Sequence, residues 1–146
     1  MDNSELRQLL IDTAIASNTR GINQGTSGNV SVRTPEGFLI TPSGMAYHTL
    51  TPSDIVLIDK NAAVVANNNG QRSRKPSSEW RFHYDIYAAR NEVEAIVHTH
   101  SIHATALACL QQDIPAFHYM VVMAGGHNIK CAKYATYGTR ELSKNI

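Results

Sequence analysis

At 146 residues the chain is long enough for one domain with a sizeable core and too short for two independent ones. Thirteen basic residues against twelve acidic ones leave a net charge of +1, which gives no electrostatic footprint for nucleic acid or an anionic membrane and points to a small-molecule partner. Cys109 and Cys131 make no disulfide framework, the N-terminus has no basic stretch leading an apolar run, and no segment approaches the ~20 apolar residues that span a bilayer, so a soluble protein of a reducing cytoplasm is expected.

Helical spacing starts at Ser4, a candidate N-cap, and runs through Leu6, Leu9, Leu10, Thr13, Ala14 and Ser17 to a stop at Gly21. This helix is expected to cover a sheet. Residues 25–29, Gly-Thr-Ser-Gly-Asn, form a small-residue loop that enters alternating Val30, Ser31, Val32 and Arg33. A turn at residues 34–37 then predicts a hairpin with a second strand over 38–41, which delivers another hydroxyl-bearing loop, Thr41-Pro42-Ser43-Gly44. Two such loops at the ends of paired strands offer backbone N–H groups and hydroxyls to an anion such as phosphate, or are ordinary turns; the pattern alone leaves both open. Neither is a P-loop, since the lysine and its spacing are absent. A second hairpin is expected from residues 55–59 and 62–66, followed by a polar, basic surface loop over 67–76.

The stretch 77–103 carries the chemistry. Ser77 or Ser78 is expected to cap a helix containing Glu79, Trp80, Phe82, His83, Ile86 and Tyr87, with Phe82, Ile86 and Tyr87 as its apolar stripe and His83 on the surface or in packing. Residues 95–100 read as a strand, in which His98 and His100 project side by side and Thr99 points the other way. Two parallel imidazoles suit a first-row metal, and Glu79 is the nearest upstream acid that can reach them. The bland alternatives are histidines on a half-buried strand and an acid stabilising the first turn of its helix. A helix follows over 102–110, where His103 could join the metal but is expected rather to cap or pack. Residues 117–124 are expected to form a buried strand with His118 and Tyr119 facing opposite sides, ended by Gly125-Gly126. Residues 132–137 read as irregular, and Thr139 caps a last helix. Ile146 lies inside that helix with no end signal, so the domain is expected to be incomplete at its C-terminus.

Five blocks, GTSGNVSVR, ITPSGMAY, KPSSEWRFH, VEAIVHTHSIHATALA and IPAFHYMVVMAGGHNIKCAKYATYGTREL, occur in this order and together resemble the class II aldolase/adducin head family. Within that family the blocks look most like those of the bacterial L-fuculose phosphate aldolases, and the resemblance covers essentially the whole chain. It implies a single α/β domain over 1–146 with a central, mostly antiparallel sheet and helices on both faces. It also implies that Glu79, His98 and His100 bind one Zn2+ per subunit, and that Glu79 doubles as proton acceptor and donor. Gly28, Asn29, Ser43, Gly44, Ser77 and Ser78 would grip the substrate phosphate, and Tyr119 would protonate or orient the aldehyde oxygen. The implied protein is a cytoplasmic homotetramer with sites near subunit boundaries, so that Tyr119 can serve a neighbour. Its reaction would be reversible cleavage of L-fuculose 1-phosphate, or a similar sugar phosphate, to dihydroxyacetone phosphate and a small aldehyde such as lactaldehyde, through a metal-stabilised enediolate. The family's fourth ligand is a third histidine in a block beyond the last helix, and no such block stands before Ile146; His118 and His127 fall on positions with other roles. Two further readings stay open: the related sugar-phosphate 4-epimerases, which carry aspartate where Glu79 stands, and a catalytically silent adducin-like module.

Overall fold

The computed structural model describes residues 3–66, 73–124 and 126–146; most of the expected surface loop at 67–76, and Gly125 of the expected glycine break, lie outside the described residues. Helix α1 (Asn3–Thr19) buries Leu10, Ile11, Ala14 and Ser17; Leu10, Ala14 and Ser17 belong to the expected stripe, whereas Leu9 of that stripe is 50% exposed and Ile11 takes its place in the core. Ser4 lies inside this helix rather than capping it, because Asn3 is already helical. At the other end Ile22 N donates to the Ser17 carbonyl (3.1 Å) and Gly21 N to that of Asn18 (3.0 Å). This is a Schellman closure, and it requires the left-handed φ of 73° that Gly21 supplies.

The expected first hairpin forms from β1 (Asn29–Thr34) and β2 (Gly37–Ile40), with Ser31 opposite Ile40 and Arg33 opposite Phe38. The second forms from β3 (Val56–Asp59) and the short β4 (Val64–Val65). Strand β5 (Ala95–His98) adds to the free edge of β1 and brings Asn29 opposite His98. The result is a five-stranded sheet of order β4-β3-β2-β1-β5, antiparallel at every described pairing.

Both faces of the sheet are covered, as expected. Leu39 points toward α1 and packs with Leu10, Ile11, Ala14, Val30, Tyr47 and Ile55. Phe38 and Ile40 point the other way and pack with Val56, Ile58 and Tyr87 beneath helix α2 (Trp80–Ala89). A strand buried on both sides needs no polar alternation, which is why Phe38, Leu39 and Ile40 form an unbroken apolar run.

Residues 117–124 depart from expectation. Instead of a buried strand they make a 3-10 segment, Tyr119–Ala124, in which Val121 is the buried residue, while Phe117 is 73% and Tyr119 74% exposed. Phe117 N donates to the Pro115 carbonyl (2.8 Å) and Val121 N to that of His118 (3.0 Å), so local turns use backbone groups that a neighbouring strand would otherwise bond. The His118 and Tyr119 rings are 4.4 Å apart rather than on opposite sides. Helix α3 (Ile102–Cys109) is capped by Ser101, and α4 (Arg140–Asn145) by Thr139, which accepts from Leu142 N at 3.2 Å. Helix α4 is tied to α2 by Ser143 Oγ donating to Asp85 (2.6 Å). Among the described residues no helix is long and apolar enough to cross a membrane.

Candidate metal centre

Antiparallel pairing puts the start of β1, the end of β2 and the end of β5 at one end of the sheet. The loops that follow or precede these ends are knotted together: Ser77 N donates to the Thr41 carbonyl (3.0 Å), Ser43 N to that of Lys75 (3.0 Å), and Pro42 bridges Pro76. This delivers the chain into α2 directly over β1. Glu79, not Ser77 or Ser78, occupies the N-cap position of α2, and its carboxylate makes no capping bond. Ser77 Oγ instead accepts from Glu79 N at 3.3 Å. The acid therefore makes no hydrogen bond to the first helical turn, and its side chain is directed to the sheet end.

There it meets the histidines. Strand β5 ends at His98, two residues short of the expected strand end, and His100 is held by its own N–H donating to Asn23 Oδ1 (3.0 Å). The imidazoles converge even so, with His98 Nε2 2.9 Å from His100 Nε2 and 3.2 Å from Glu79 Oε2. The three groups offer ligand atoms all within 4.8 Å of one another. Around a tetrahedral ion with bonds near ~2.1 Å, neighbouring donor atoms stand roughly 3.4 Å apart, so these two nitrogens and one carboxylate oxygen fit a zinc-like ion with small adjustments. The ring of Phe82 packs edge-on against His98, 5.3 Å between centroids, and fixes that imidazole from the side.

The local electrostatics favour ligation. Burial pushes the Glu79 carboxyl up, but the hydrogen bond and charge of His98, with smaller contributions from Asn29 and His100, outweigh it and hold the group below its ordinary value. Burial, aided by His98 and opposed by Glu79, lowers His100. An ionised carboxylate and a neutral imidazole are the forms that bind a metal.

Among the residues assigned to phosphate, Gly28 is packed against the metal strand. A β-carbon there would stand 2.5 Å from the His98 carbonyl oxygen and 2.6 Å from Asn23 Oδ1, the acceptor that holds His100. Gly28→Ala is therefore expected to displace both histidines and to weaken metal binding by roughly 10-fold or more, the scale of losing a ligand's support. Chelator competition on the variant measures this. Asn29 is buried, and both ends of its amide are taken within the site: Nδ2 donates to Glu79 Oε2 (3.1 Å), and Oδ1 faces His83 Nε2. Ser43, Gly44 and Ser78 are exposed and Ser77 is buried, all on the joined loops beside Glu79. Tyr119 lies on the exposed 3-10 segment and makes no hydrogen bond to the three candidate ligands. His103, His118 and His127 lie outside the cluster.

The sequence reading missed what surrounds Glu79. Of the two roles expected for His83 the structure shows packing and not surface, since it is 0% exposed; it stacks on Phe82 at 4.5 Å and bonds Ser31 Oγ through Nδ1 at 2.7 Å. Ser31 Oγ in turn lies 2.8 Å from the Tyr87 hydroxyl. A signal for this was present. Glu79, His83 and Tyr87 follow i, i+4, i+8 spacing on one helix face, while Asn29 and Ser31 follow i, i+2 spacing on one strand face.

The antiparallel sheet covered on both faces, with a Glu-His-His cluster at one end, comes with a match that fixes the family: residues 8–146 match the Class II Aldolase and Adducin N-terminal domain, and the chain belongs to that family. It is 48% identical over 146 residues to the L-fuculose phosphate aldolase of Escherichia coli (strain K12), an alignment that takes in 100% of this chain and 65% of that protein. It is 54% identical over 140 residues to the 5-methylthioribulose-1-phosphate/5-deoxyribulose-1-phosphate aldolase of Rhodospirillum rubrum, covering 96% of this chain and 61% of the relative. The solved structure of an L-fuculose 1-phosphate aldolase matches with a TM-score of 0.90 at 41% identity, over 99% of this chain and 66% of that one. The chain thus spans just under two thirds of the length of these relatives.

Proposed function

We propose that this protein is a divalent-metal aldolase, with zinc as the resident ion, that reversibly cleaves a ketose 1-phosphate to dihydroxyacetone phosphate and a small aldehyde. The observation that carries the proposal is the convergence of Glu79, His98 and His100 beside loops rich in glycine and serine. The names of the relatives support the substrate class, since L-fuculose phosphate and the two ribulose 1-phosphates are all ketose phosphates. L-Fuculose 1-phosphate, giving lactaldehyde, is the substrate we favour.

A bound divalent ion supplies Lewis acidity that stabilises negative charge developing on the substrate oxygens. Glu79 would exchange a proton with C3 of dihydroxyacetone phosphate; a carboxylate held on a divalent cation is a weak base, so this role requires Glu79 to be released as ligand when substrate binds. Gly28, Asn29, Ser43, Gly44, Ser77 and Ser78 hold the phosphate, so that binding energy remote from the reacting carbon orients the donor. The exposure of Tyr119 suits a group that acts on the aldehyde oxygen in a neighbouring subunit's site within a homotetramer.

The test combines metal content with product detection. The protein is expected to take up about one Zn2+ per chain and to release dihydroxyacetone phosphate from L-fuculose 1-phosphate in a coupled assay. A metal-free, inactive protein would instead make it a silent adducin-like module. Sugar-phosphate isomerisation without release of dihydroxyacetone phosphate would make it an epimerase.

A further inference from the structure

Five side chains, Tyr87, Ser31, His83, Asn29 and Glu79, form a continuous hydrogen-bonded series that links the core beneath α2 to the candidate metal centre. Its direction follows from donor and acceptor chemistry. A carboxylate only accepts, so Asn29 must turn its NH2 to Glu79 Oε2. That orientation presents Asn29 Oδ1 to His83, whose Nε2 must then carry the proton. Burial keeps His83 neutral, with its pKa lowered to about 3 chiefly by desolvation, and a neutral imidazole has a single N–H. Nδ1 is therefore a bare acceptor, and the Ser31 hydroxyl donates to it with Oγ at 2.7 Å. Ser31 Oγ in turn accepts from Tyr87, whose hydroxyl burial pushes up to about 12 and so keeps protonated.

We infer that this one-way series makes His83 a positioning residue: it locks the Asn29 amide with its NH2 toward Glu79 and so fixes the carboxylate oxygen that faces His98. The inference rests on the reading of Glu79 as a metal ligand. The alternative orientation of Asn29 would set its carbonyl oxygen against the carboxylate, and with His83 in place it would also set an amide N–H against the imidazole N–H. Both contacts are repulsive, so each end of the amide enforces the other. Without the imidazole only one of these restraints remains, and Glu79 loses a fixed partner where ligand geometry matters most.

The test compares the wild-type chain with His83→Phe, which fills the same space without a donor, and with His83→Gln, whose amide nitrogen reaches roughly to the Nε2 position. In the metal-free wild type, 15N NMR is expected to show His83 as the Nε2–H tautomer and the Asn29 side-chain amide as a slowly exchanging pair. In folded His83→Phe that protection is lost, and Co2+ affinity, followed by its visible absorption, falls roughly 10-fold, the lower end for outer-shell partners. His83→Gln restores both. An Nδ1–H tautomer in the wild type would overturn the inference, as would a folded His83→Phe with unchanged Asn29 exchange and Co2+ affinity. A wild type that takes up no Co2+ at all would overturn the metal reading instead, and the tautomer and Asn29 exchange would still decide the hydrogen-bonded series.

Discussion

Glu79→Gln is expected to lower carbon–carbon cleavage by about 10²–10⁴-fold at saturating metal, the range that a positioned acid–base group contributes. The substitution is nearly isosteric, and the fold should survive it. Asn29 Nδ2 donates to Glu79 Oε2 at 3.1 Å, and a glutamine can present its own carbonyl oxygen to that donor. What disappears is the negative charge beside His98 Nε2, 3.2 Å away, and the capacity to take a proton near neutral pH. Measuring dihydroxyacetone phosphate release with metal held in excess separates the two losses, because weakened ligation is compensated by mass action whereas the missing base is not. Full activity with metal bound would remove Glu79 from proton transfer.

Acid is expected to destabilise the metal-free protein well before ordinary carboxylates titrate. His83 is pushed from the ordinary 6.5 to about 3 by burial, with His98 adding and Glu79 opposing. The folded state therefore refuses a proton that the unfolded chain accepts. The stability this confers is fully present above about pH 6.5 and is lost as pH falls toward 3, approaching ~1.4 kcal/mol per pH unit through the window and totalling on the order of 4–5 kcal/mol. That is a large share of the ~5–15 kcal/mol typical of a domain. The lowered carboxyl of Glu79 works in the same direction at the acid end, since its contribution is present above its unfolded value of 4.5 and lost below. Urea unfolding at a series of pH values should show a shallower slope for His83→Gln than for the wild type between pH 6.5 and 4. Equal slopes would exclude His83 as the group responsible.

Much of the fold was legible because its signals are local. The turn residues at 34–37 and the loop at 60–61 announced both hairpins, Gly21 marked a helix end that only a left-handed residue closes, and Thr139 capped the helix it precedes. The apolar run at 117–124 misled because hydrophobicity reports burial and not conformation. Backbone bonds made within a few residues of Pro115 turned that run into an exposed 3-10 segment.

The candidate site divides in the same way. Spacing placed His98 near His100, and five ordered blocks identified the family and pointed to Glu79. Sequence by itself therefore determined the family and the candidate ligands that the structure brings together, because residue types and their order persist in any conformation. Only the tertiary structure decided how Glu79 is held. Its N-cap position depends on the Thr41–Ser77 contact, and its partner Asn29 lies 50 residues away along the chain. The buried series through His83 exists because one helix face at i, i+4, i+8 lies in register with one strand face at i, i+2, and register between distant elements is set by packing the two cores together, not by any local pattern.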